Sequence, residues 1–181
     1  FTLLGIAFNA TLAWAPSHLI RTFEWTAPRA AFWLGSVMLG FGSIGIILGG
    51  VLTDRWRRNG WQDSALRVGV VSGAGLAPFA LAAPLVGEPM LAVALYAPFL
   101  FFSAFAFGAA VTALQVMTPP ALRAQVSALF LLSMNLLALG AGPLLTALLT
   151  DYVFGSDLRV GDSLAVVCTL AALAGAALLY S

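Results

Sequence analysis

Lysine is absent from this 181-residue chain, and only 8% of its residues are charged. Soluble domains carry about a quarter charged residues, so water is excluded as the solvent for most of this surface. The eight basic residues are all arginines, scattered along the chain, and the formal net charge is +1. That balance leaves no basic patch for nucleic acid. The lone cysteine, Cys168, excludes an internal disulfide or a cysteine-based metal cluster, and in its apolar run it reads as an inert buried thiol. With His18 as the only histidine, the paired His and acidic ligands of a metal-dependent hydrolase are missing. No cleavable leader is visible, and the chain opens inside an apolar run without a methionine, which reads as a fragment of something longer.

What is present is hydrocarbon: 61% hydrophobic residues and a mean hydropathy of +1.01. Charge-free intervals predict spans at about 1–20, 30–53, 68–87, 90–117, 124–150 and 163–181. Each reaches the roughly 20 residues that a transmembrane helix requires. The fourth interval runs from 89 to 122, too long for one straight crossing, so its helix is expected to bend near Pro98 and stop at Pro119-Pro120. Barrel strands alternate polar and apolar residues, which these runs do not. The expected fold is therefore an all-α membrane protein of one six-helix bundle.

Arginines orient the bundle. Arg55, Arg57, Arg58, Arg67 and Arg123 fall on one side, against Arg21, Arg29 and Arg159 on the other. The positive-inside rule puts the richer side in the cytoplasm, and with it both chain ends, for a multi-pass protein of the plasma (inner) membrane. "GIILGGVLTD" (45–54) closes the second span and "GPLLTALLTD" (142–151) the fifth, with Gly, two Leu, Thr and Asp in common. Their equivalent places in two sets of three helices, at opposite membrane faces, are those of a 3+3 inverted repeat.

The second span ends in "GGVLTDRWRR" (49–58). Gly45 and Gly49 lie four residues apart and, with Gly50, let a partner helix approach closely. Asp54, at a helix C-terminus, opposes its own macrodipole and needs a neighbouring helix N-terminus, or Arg55 or Arg58, to stabilise it. Plain topogenic anchoring of the arginines is the competing explanation. The segment resembles the loop signature of the major facilitator superfamily, matching at Gly50, Leu52, Asp54, Arg55 and Arg58 and departing at Thr53 and Arg57. "WAPSHLIRTFEWT" (14–26), "TPPALRAQVSALFLLSMNLLALGAGPLLTALLTD" (118–151) and the Phe154-Gly155 turn resemble the second half of spinster-like and related organic-anion members.

The resemblance implies one half of a twelve-helix transporter, whose partners are a first six-helix half, membrane lipid and a small-molecule solute. It implies a conformational latch at Gly50, Asp54, Arg55 and Arg58, with Asp54 facing a helix N-terminus in the first half. The start of the fifth span, around 121–125, would receive that half's own latch. It also places the first, second, fourth and fifth spans along the solute cavity.

Candidate cavity residues are Asn9, Trp14, His18, Trp33, Thr112, Gln115 and Asn135. Interfacial anchoring explains His18 and the tryptophans equally, and helix-to-helix gluing explains Gln115 and Asn135. Ser127, Leu131, Asn135, Ala138 and Gly142 are expected along one helical face. Gly140, Gly142 and Pro143 are candidates for packing or bending of the fifth helix. No charge lies at mid-membrane depth, so any coupling to protons or another ion has no carrier here beyond His18. No metal or other cofactor is expected. Secondary transport of a small organic or amphipathic solute is the leading expectation. A non-transporting scaffold or receptor is the alternative, and an intramembrane enzyme ranks behind both, since His18 sits at a span boundary with no nucleophile motif beside it.

Overall fold

The computed structural model describes residues 1–180, with the side chains of 115–117 outside the described set. Six helices succeed one another: α1 Thr2–Phe23, α2 Ala27–Arg58, α3 Ser64–Leu85, α4 Pro89–Met117, α5 Pro120–Phe154 and α6 Asp157–Tyr180. All six are long and apolar enough to cross a bilayer, which makes this an all-helical, multi-pass membrane protein.

Most helices overrun the charge-free intervals. α2 continues past Thr53 to Arg58, and α5 spans Pro120–Phe154. The charges mark where a helix leaves hydrocarbon, whereas the helix itself stops where its backbone is capped. Arg55, Arg57 and Arg58 occupy the last turn of α2 and complement its negative end. Pro89 and Pro120 open their segments, where a missing N–H costs nothing. Glu88 caps α4, its carboxylate accepting from the Leu91 amide at 2.7 Å. The fourth helix ends before Pro119-Pro120, as the proline pair predicts.

Four helices form the packed centre: α3 lies along α4 and α6, and α1 along α6. Small residues set these seams. A Cβ on Gly73 would stand 2.9 Å from the Ala172 carbonyl oxygen, and one on Gly161 2.7 Å from that of Pro84. α2 lies on α4 and α5 lies on α1. Gly45 and Gly49 press against the carbonyls of Phe101 and Phe105, while Gly142 approaches the Ile6 carbonyl so closely that a Cβ would stand 2.6 Å away. Only 11% of the most apolar window of α2 and 17% of that of α5 is buried, against about half for the other four helices. These two flanking helices present broad apolar faces outward.

Both flanking helices contain widened π turns. In α2, eleven residues of α-helix (Ala27–Val37) precede the turn Met38–Gly42. In α5, eleven residues (Arg123–Ser133) precede Met134–Leu139, and a second widened turn covers Leu149–Phe154. Leu139 is the residue whose carbonyl Pro143 cannot bond, so the proline sits where the regular ladder is already broken. The buried residues of α5 recur every fourth position: Met134, Ala138, Gly142, Thr146 and Thr150. At about 100° per residue a four-residue spacing drifts by about 40° each turn in a regular helix. Widened turns offset that drift and keep the stripe buried, against α1 over most of its length and against α6 at Thr150.

Gly49→Val is expected to destabilise the bundle by about 1–3 kcal/mol through overpacking against the Phe105 backbone. Gly40→Ala, with open space at that position, is expected to change little. Thermal unfolding of the two variants in one detergent checks the contrast.

Candidate functional site: an apolar cleft and a charged helix end

Two adjoining hollows of about 490 Å³ and 190 Å³ share Gly35, Met38 and Leu100 and form one cleft between α1, α2 and α4. Its walls are apolar, with Phe8 of α1 edge-on to Phe107 of α4 at 5.6 Å between ring centroids. Thr11 and Ser43 supply hydroxyls. The widened turn of α2 carries Met38 and Gly42 into this wall, and such turns often mark functional positions. An apolar hollow with a few polar points suits the nonpolar part of an amphipathic molecule.

Thr11 also fixes the back of the cleft. Its hydroxyl lies 3.4 Å from the Cys168 sulfur, which in turn lies 3.5 Å from the Ala7 carbonyl oxygen. Cys168 is thereby a buried link between α6 and α1, as its apolar run implied. Among the described residues, no three His, Cys, Asp or Glu side chains gather as a metal site would require.

The polar residues singled out in the sequence do not converge on the cleft. Asn9 is half-buried and donates back to the Gly5 carbonyl at 2.9 Å. Trp14 ties α1 to α5, its indole donating to the Pro143 carbonyl at 3.0 Å. Trp33 packs in a cluster with Leu19, Trp25, Ala92 and Val93. Thr112 lines a separate hollow at the Arg-rich end, and the side chain of Gln115 lies outside the described residues.

His18 lies near the end of α1, as expected, but its side chain turns inward. It is only 2% exposed, sits against Gly161 of α6, and its Nδ1 lies 3.2 Å from the Thr22 hydroxyl. Its Nε2 has no partner among the described residues. The small Gly161 leaves room for the ring to turn into the bundle.

Asn135 is also displaced from expectation. It is exposed and donates to the Leu131 carbonyl at 2.7 Å, whereas Ala138 and Gly142 are buried against α1. The face predicted from regular helical spacing splits because Asn135 lies inside the widened turn, which rotates the residues beyond it. Gly140 meets open space and contributes no packing. Gly50 likewise has open space where a side chain would be, although its amide lies against Gly108 of α4.

At the charged end, Asp54 is exposed and does not end its helix, which runs one more turn to Arg58. Neither Arg55 nor Arg58 pairs with it; the ion pairs among the described residues are Arg21–Asp157, Arg67–Asp63 and Arg159–Asp162. Residues one apart on a helix point in different directions, which removes Arg55. Arg58 ends the helix and is exposed. Asp54 thus stands without a carboxylate-binding partner within the described residues.

Sequence reasoning missed Met38, Ser43 and Phe107. The available signal was the glycine-spaced run "GSVMLGFGS" (35–43), which leaves α2 short of side-chain bulk along the cleft. Comparison of the chain with protein families, with curated proteins and with solved structures gave no match.

A cysteine placed at Ser43, exposed beside the cleft, is expected to react with a water-soluble maleimide while native Cys168 remains unmodified. Intact-mass measurement of the folded protein reads one adduct in the variant and none in the parent.

Proposed function

We propose that this chain is one six-helix half of a secondary transporter resembling the major facilitator superfamily, moving a small organic or amphipathic solute by alternating access. The observation that carries the reading is the correspondence between the two sets of three helices. Helices α2 and α3 pack on α4 as α5 and α6 pack on α1, so exchanging the triplets preserves the neighbours. Met38 and Met134 each open a widened turn after eleven residues of regular helix. Beyond those turns Gly45 corresponds to Gly142, Thr53 to Thr150 and Asp54 to Asp151. Both glycines press on a neighbour's carbonyl, both threonines are buried, and both aspartates are exposed. This correspondence supports an inverted repeat, the plan on which many carriers are built.

The unpartnered Asp54 and the outward apolar faces of α2 and α5 support a second six-helix half docking there. Its helix N-terminus would meet the carboxylate in one state and leave it in another. The cleft between α1, α2 and α4 would form one wall of the solute path, with Phe8, Met38 and Phe107 against the nonpolar part of the solute. A coupling ion would find its carrier in the other half. The orientation accords with the arginine bias, with the Asp54–Arg67 side cytoplasmic.

The test is tracer flux by the full-length protein in proteoliposomes, against a panel of small organic solutes and with an imposed pH gradient. Asp54→Asn is expected to slow flux about two- to fivefold, the loss of a charge–dipole contact of ~0.3–1 kcal/mol, with thermal stability unchanged. No flux of any organic solute by the parent protein overturns transport, and parental rates in Asp54→Asn overturn the latch.

A further inference from the structure

The 59–63 loop and its flanking helix ends enclose a hollow of about 700 Å³ that the transport reading does not use. Arg57, at the end of α2, lines it; so do Ser64, Ala65 and Leu66, the first three residues of α3, and Thr112 of α4. Gly60, with φ +92°, lets the chain turn back sharply enough for the two helix ends to face one another.

Three kinds of donor meet there without acceptors. The amides of Ala65 and Leu66 belong to the first turn of a 22-residue helix and find no carbonyl, whereas those of Ser64 and Arg67 bond Trp61 and Asp63. Asp63 stands at the N-cap but does not cap: its carboxylate is held by Arg67 at 2.7 Å. The Ser64 hydroxyl lines the hollow from a residue only 2% exposed, with no hydrogen-bond partner among the described residues. The Arg57 guanidinium has no carboxylate partner either. Orphan amides at a helix start, a hydroxyl and a guanidinium form a donor set suited to a tetrahedral oxyanion. Asp63 also borders the hollow, but Arg67 compensates its charge.

We propose that this hollow is a phosphate-binding site, in which Arg57, the Ser64 hydroxyl and the Ala65 and Leu66 amides hold the oxygens of a phosphate mono- or diester. The site is read by binding alone and stands or falls independently of transport. Trp56 and Trp61, with ring centroids 5.8 Å apart, line an adjoining hollow that shares Asp63 and Leu66 with this one, so tryptophan emission is expected to respond to occupancy.

The full-length protein is titrated with inorganic phosphate in neutral detergent, reading emission. In parallel, native mass spectrometry counts phosphatidylglycerol and phosphatidylcholine molecules retained from mixed micelles. Arg57→Ala is expected to weaken phosphate or phosphatidylglycerol binding about tenfold, and Ser64→Ala about threefold. Arg58→Ala, exposed and outside the hollow, is expected to change binding less than twofold. Selective retention of phosphatidylglycerol identifies a lipid headgroup as the ligand, and saturable inorganic phosphate binding a free anion; each supports the site when it depends on Arg57. Equal losses in Arg57→Ala and Arg58→Ala mean diffuse attraction and overturn it, as does the absence of binding in both arms.

Discussion

Lipid hydrocarbon gives two helices no solvent-driven reason to associate, because chain ends of lipid are as apolar as leucine. Contact alone is left to hold them: the closer two backbones approach, the more dispersion they gain and the more a side chain between them would cost. The bundle depends on that constraint. Where α3 meets α6, and where α2 meets α4, glycine faces a neighbour's carbonyl oxygen and alanine fills the remaining space. The large apolar side chains of α2, including Phe32, Leu39 and Ile47, point outward instead. The usual soluble arrangement, bulky core and polar skin, is thereby replaced by small seams and bulky flanks.

Side-chain hydroxyls obey the same logic. Thr53, Thr146 and Thr150 are buried, and each returns its hydroxyl to a carbonyl one turn earlier in its own helix. Thr150 additionally meets the Ser163 hydroxyl at 2.8 Å, a polar contact between α5 and α6. These groups are satisfied locally, so they can line a seam without demanding a partner from the facing helix. The ion pairs among the described residues lie at helix ends and are largely exposed, and such pairs contribute about 0–1 kcal/mol each. Arg21–Asp157 joins the end of α1 to the start of α6, a tether between helix ends and not a source of core stability.

The six spans were legible because hydrocarbon thickness imposes a length that charge-free intervals report directly. Glycine spacing also revealed two seams: Gly45 and Gly49 do contact α4, and Gly142 does contact α1. The candidate site was far less legible. Asn135, His18 and Trp33 were chosen because polar or aromatic groups in lipid are conspicuous, yet local hydrogen bonding and packing account for where each one lies. The cleft is instead walled by Phe8, Met38 and Phe107, residues indistinguishable in composition from lipid-facing neighbours. Regular 3.6-residue periodicity also misplaced the face of α5, because a widened turn leaves no residue signature of its own. The uncapped start of α3 was hidden for a related reason: Asp63 looks like an ordinary N-cap until Arg67 is seen to claim it.

The widened turns have a mechanical meaning as well. Each holds a surplus residue relative to the regular ladder, and removing that surplus would advance the helix beyond it by about 1.5 Å and twist it by about 100°. In α2 the screw motion would swing Thr53 out of its groove and re-aim Asp54 by a quarter turn, with Gly45 and Gly49 surrendering their places to Ile46 and Gly50. Met38–Gly42 therefore couples two places within one helix: regularising that turn would shift the cleft wall and the heading of the charged tip together.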